Sequence, residues 1–95
     1  MMKNRSRYEV TAAILKAASS GDTRTKIVYV AMLGSAQCKL YLDSLIKSGL
    51  VHEVNDGDKM VYKVTPKGVK FLSYYNQMKA LLPLVEEEAL AGIVA

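Results

Sequence analysis

Leu33-Gly-Ser-Ala-Gln-Cys-Lys-Leu-Tyr-Leu-Asp-Ser-Leu-Ile-Lys-Ser-Gly-Leu-Val51 is the stretch on which the fold turns. Ser35 suits an N-cap, because its hydroxyl accepts a hydrogen bond from an orphan N–H of the first helical turn. Gly49 suits the other end, where a residue without Cβ takes the left-handed conformation that stops a helix. Between them Cys38, Leu42, Leu45 and Ile46 recur at i, i+4, i+7 and i+8, which gathers apolar groups on one face. Ala36, Gln37, Leu40, Asp43, Ser44 and Lys47 fall on the opposite face. The spacing predicts a helix with one seated face and one presented face, followed at once by β-prone residues.

Upstream, Ser6-Arg-Tyr-Glu9 has the form of a capping box, in which serine and glutamate satisfy each other's backbone donors. Val10, Ala13, Ile14 and Ala17 continue at helical spacing, so a helix is predicted from Arg7 to about Ala18. Ser19-Ser-Gly-Asp22 interrupts it. Ile27-Val-Tyr-Val-Ala31 suits a buried strand as well as a short helix by length and β-branching. Its position between two helical segments favours the helix, with Met32-Leu-Gly34 as a tight turn. Thr23, Arg24, Thr25 and Lys26 then lie at its N-terminus, where free N–H groups and cations suit a phosphate.

Downstream, two β-prone runs flank Asp56-Gly-Asp58, a strong hairpin signal. Thr65-Pro-Lys-Gly68 opens another helix, with Thr65 as N-cap and Pro66 at the first helical position. Phe71, Tyr75, Met78, Leu82, Val85 and Ala89 are then spaced 4, 3, 4, 3, 4, a heptad seam. From Thr65 to Ala89 a helix spans ~37 Å at about 1.5 Å per residue, more than the width of so small a domain. A projecting seam needs a partner, and a second copy is the simplest one. Pro83 predicts a kink or break within it, and Glu86-Glu-Glu88 a solvated acidic turn before the tail.

Ninety-five residues, 51% apolar and 23% charged, fit one globular domain. No apolar run approaches the ~18 residues of a membrane span, and the start lacks a secretory h-region. One cysteine and one histidine provide neither an internal disulfide nor a zinc site. These features predict a cytoplasmic protein with no metal, no cofactor and no membrane partner. The net charge of +4 is unevenly spread. Residues 1–50 hold eight cations against three acids, and residues 51–95 five against six. That asymmetry favours a polyanionic partner.

The wording of the chain carries the comparison further. Ser20-Gly21, Thr25-Lys-Ile-Val-Tyr29, Leu33, Tyr41-Leu-Asp-Ser-Leu45, Gly49-Leu-Val51 and Tyr62-Lys-Val-Thr-Pro-Lys-Gly68 together resemble the small archaeal winged-helix DNA-binding proteins. The similarity runs from Arg7 to about Met78. It implies a mainly α fold with a small β-hairpin: a winged helix-turn-helix over residues 1–66, then a C-terminal dimerisation helix and tail over 67–95. It also implies a homodimer joined through an antiparallel coiled coil, binding double-stranded DNA as a transcription regulator or nucleoid-associated protein. Carried onto this chain, Ser35, Ala36, Gln37, Lys39 and Leu40, with Asp43 beside them, face the bases from the recognition helix. Arg24, Thr25 and Lys26 face phosphates, and so do Arg5, Arg7 and the neighbouring Lys3. Phe71, Tyr75, Met78, Leu82 and Val85 form the dimer seam. The chain departs from such a pattern at the wing tip, Asn55-Asp-Gly-Asp58, which is acidic and leaves Lys59 as its one contact.

Within this frame Gln37 suits adenine, Lys39 guanine or phosphate, and Leu40 a thymine methyl. Cys38 falls among core residues and reads as a small hydrophobe; His52 reads as a surface side chain. No Ser/His/Asp set, carboxylate pair or glycine-rich phosphate loop is present, so no enzyme is predicted. The acidic wing and the Leu40/Asp43 pair also fit a second function, a winged-helix protein–protein module without DNA contact.

Overall fold

A computed structural model describes residues 6–81. It contains α1 (Arg7–Ala17), α2 (Arg24–Ala31), α3 (Ser35–Lys47), β1 (Val51–Asp56), β2 (Lys59–Val64) and α4 (Pro66–Leu81). This is the mainly α fold with one antiparallel hairpin that the chain's periodicities predict. The expected seam residues Leu82 and Val85, together with Arg5, Pro83 and the acidic run, lie outside the described residues.

Local chemistry sets the helix ends. At α1 the Glu9 N–H donates to Ser6 Oγ at 3.1 Å, and the Ser6 N–H donates to Glu9 Oε1 at 2.8 Å. Thr23 caps α2, its Oγ1 accepting from the Lys26 N–H at 3.4 Å. Residues 27–31 are helical, which settles the strand-or-helix alternative. The cap of α3 corrects the expectation for Ser35: Gly34 is the N-cap, without a side-chain bond, and Ser35 is the first helical residue. Gly49, at φ +80°, ends α3 as expected. Its N–H donates to the Ile46 carbonyl and that of Leu50 to the Leu45 carbonyl, closing the last turn.

The core lies where the helices meet the hairpin. Ile14 and Leu15 of α1, Ile27 of α2, Cys38 and Leu42 of α3 and Val51 of β1 are all sealed from solvent. Phe71 and Leu72 of α4 close it from the side. The hairpin pairs Val51 with Val64 through to Asp56 with Lys59, around a two-residue turn led by Gly57 at φ +69°. A third backbone joins it: Asp22 exchanges both hydrogen bonds with Tyr62, at 3.1 and 2.8 Å. The wing is thereby fixed to the α1–α2 connection.

The start of α4 is bound to the end of α3. The Thr65 N–H donates to the Leu50 carbonyl at 3.0 Å and its Oγ1 to the Gly49 carbonyl at 2.6 Å. Lys67 Nζ donates to the Ser48 carbonyl at 2.7 Å. Thr65 Oγ1 also accepts from the Gly68 N–H at 3.1 Å, completing the expected cap. These bonds occupy the carbonyl of the α3 C-cap, Ser48, and the two that follow it.

Candidate nucleic-acid interface

Helix α3 is divided lengthwise. Cys38, Leu42 and Leu45 are buried, while Ser35, Ala36, Gln37, Lys39, Leu40, Asp43, Ser44 and Lys47 are all exposed. Leu40 is 70% exposed. The uncapped first turn of α3 leaves N–H groups directed outward at the same end.

Lys39 and Asp43 are joined. Lys39 Nζ donates to Asp43 Oδ2 at 3.1 Å, both side chains being more than half exposed. The cation expected to meet guanine or phosphate therefore has a carboxylate partner one turn away. Their i, i+4 spacing was the available sign of that pairing. An exposed pair of this kind contributes only about 0.3–0.5 kcal/mol, so it exchanges readily for another anion.

Arg24, Thr25 and Lys26 form the exposed first turn of α2. Lys26 Nζ lies 3.9 Å from Asp22 Oδ1, a loose contact. The positive charge of Arg24 reaches both α3 and the wing. Burial pushes the Cys38 thiol above its ordinary range and Arg24 pulls against that shift. Burial, then the neighbouring Glu53 charge, pushes the Tyr62 phenol up, with Arg24 again opposing. Arg24, at the exposed start of α2, is thus electrostatically felt at both Cys38 of α3 and Tyr62 of the hairpin.

Arg7 also reaches α3. Its guanidinium lies 5.8 Å from the Tyr8 ring centroid, and with Leu40, Tyr41 and Ser44 it lines a shallow recess of about 200 Å³. A deeper cavity of about 280 Å³ continues from it past Tyr8 and Thr11 to Phe71. No periodicity marked Tyr8, because the approach of α1 to α4 is a long-range fact. Lys59 is exposed at the wing tip, opposite Asp56 and beside Asp58, so the hairpin offers little net positive charge.

The heptad-spaced residues of α4 do not share one exposed face. Tyr75 is buried in its own chain, stacked on Phe71 at 6.3 Å with the rings 10° apart, and Lys79 lies over its ring. The exposed apolar line is Tyr74, Met78 and Leu81, at i, i+4 and i+7. Beside it Tyr8, Phe71, Tyr74, Tyr75 and Met78 line an apolar recess of about 190 Å³. Among the described residues no helix is long and apolar enough to cross a membrane.

Comparison with known proteins follows this geometry. A family model described as winged helix-turn-helix matches residues 4–82. Sso10a-2, a DNA-binding protein from Sulfolobus solfataricus, is similar in structure with a TM-score of 0.78 and 20% identity, over 96% of this chain and 98% of its own. The transcriptional regulator BldR from Sulfolobus solfataricus is similar at a TM-score of 0.64 and 24% identity, over 88% and 68%. MepR of S. aureus in complex with DNA is similar at a TM-score of 0.67 and 16% identity, over 94% and 75%. No curated protein sequence matches the chain. At these identities the structural likenesses establish the fold.

Proposed function

The chain belongs to the winged helix-turn-helix family, and from that premise we propose that it is a homodimeric DNA-binding protein with α3 in the major groove. It acts as a transcription regulator or as a chromosome-associated protein. One observation carries this reading: α3 buries one face in the core and leaves the other wholly exposed, with Arg7 lining a recess against Leu40, Tyr41 and Ser44. The similarity to a fold described in complex with DNA supports it. Arg24, Thr25 and Lys26 hold phosphates, and Ser35, Ala36, Gln37, Lys39 and Leu40 face the base edges. Residues 67–95 supply the dimer contact.

A titration of duplex binding against salt tests the proposal. With Arg7, Arg24, Lys26 and Lys47 on phosphates, log K falls by about 3 to 4 per protomer for each tenfold rise in salt. A salt-independent affinity overturns it. The protein–protein reading is favoured by the acidic wing and exposed Leu40; failure to bind any duplex at low salt, with a partner protein captured through α3, decides for it.

A further inference from the structure

The outer ridge of α3 runs Ala36, Leu40, Asp43, Lys47, with Gln37 and Ser44 on one flank and Lys39 on the other. Base edges are read mainly from the first turns of such a helix, which here carry Ala36, Gln37, Lys39 and Leu40. Three features of these residues bear on which bases they fit. Leu40 is 70% exposed at the centre of the ridge. In the major groove the one apolar group that base edges present is the thymine methyl. Gln37, exposed on the flank, carries an amide donor beside an acceptor, the complement of adenine N7 and N6. Guanine instead offers two acceptors and calls for a cation. The one cation in these turns of α3, Lys39, is held by Asp43 at 3.1 Å.

Resting on the proposed DNA binding, we infer that α3 discriminates in favour of A·T-rich duplex through the major groove. Leu40 covers thymine methyls and Gln37 pairs with adenine, while the exposed Lys39–Asp43 pair biases Lys39 against guanine by only about twofold.

The test uses the full chain and three duplexes of equal length: A·T only, G·C only, and the A·T duplex with dU in place of every dT. The A·T duplex is expected to bind about tenfold more tightly than the G·C duplex. Replacing dT by dU removes the methyls alone and is expected to cost roughly fourfold for each methyl covered. Leu40→Ser, at an exposed position that leaves the core intact, is expected to bind the dT and dU duplexes alike. Asp43→Asn frees Lys39 and is expected to raise G·C binding about twofold relative to A·T binding. An A·T preference unchanged by dU, or unchanged in Leu40→Ser, overturns the inference. Equal binding of A·T and G·C duplexes also overturns it while leaving DNA binding in place. Failure to bind any of the three removes the proposed function itself.

Discussion

Gly68 is helical and buried, and its backbone lies against the Leu50 carbonyl and Val64. A Cβ built there would collide with the Leu50 carbonyl oxygen and lie 2.5 Å from Val64 Cγ2. The carbonyl belongs to the chain that follows α3, so neither side yields without moving α4 away from it. Alanine normally favours a helix over glycine by about 1 kcal/mol; here the clash wins. Gly68→Ala is expected to destabilise the fold by about 2 kcal/mol in denaturant unfolding, and an unchanged midpoint refutes the close approach. Cys38 and Tyr62 make a second prediction at this scale. Both are shifted upward, from 9.0 and 10.0, first by burial. Above pH 9 the unfolded chain therefore loses protons that the folded chain retains, and stability falls as pH rises. Unfolding measured from pH 7 to 11 is expected to show a plateau and then a decline. Cys38→Ala is expected to remove the part of the decline that begins near pH 9.

At the scale of elements, the turn between α2 and α3 carries a built-in cost. Met32 closes α2 at φ 57° and ψ 51°, the sole described non-glycine residue at positive φ. Its side chain is 63% exposed. The left-handed conformation costs a side chain about 1–2 kcal/mol and is one that glycine adopts freely. Met32→Gly is expected to raise the thermal midpoint, by about 0.5–1 kcal/mol in stability; a lower midpoint refutes this balance. The same elements show what the chain revealed before its structure. The faces of α3 were legible because burial follows the 3.6-residue period, and the hairpin because Asp56-Gly57 is local turn chemistry. The Asp22–Tyr62 bridge was not, since backbone pairing between distant segments leaves no mark on the side chains involved. The one-residue shift of the α3 cap has a local cause: Gly34 adopts the extended N-cap conformation itself, at φ −70° and ψ 153°. Lys39–Asp43 is readable from its i, i+4 spacing.

For the whole molecule the decisive feature is the exposed line Tyr74, Met78, Leu81 on α4. These side chains are 61%, 53% and 81% exposed. They continue along the helix from the recess that Tyr8 and Phe71 share with Tyr74, Tyr75 and Met78. An exposed apolar strip of this kind marks an interaction surface; on the proposed reading a second copy covers it and so sets two α3 helices on one duplex. Light scattering is expected to give twice the mass of one chain. Met78→Glu combined with Leu81→Glu alters only exposed positions, so α1–α3 and the hairpin are expected to fold unchanged while the mass halves. Losing the second grip converts a linked pair of binding events into a single one, which lowers duplex affinity by on the order of a hundredfold or more. The salt slope should halve with it, because half as many phosphates are then neutralised. A double variant that stays dimeric places the contact elsewhere. A monomeric variant with undiminished affinity and slope shows instead that each protomer binds DNA alone.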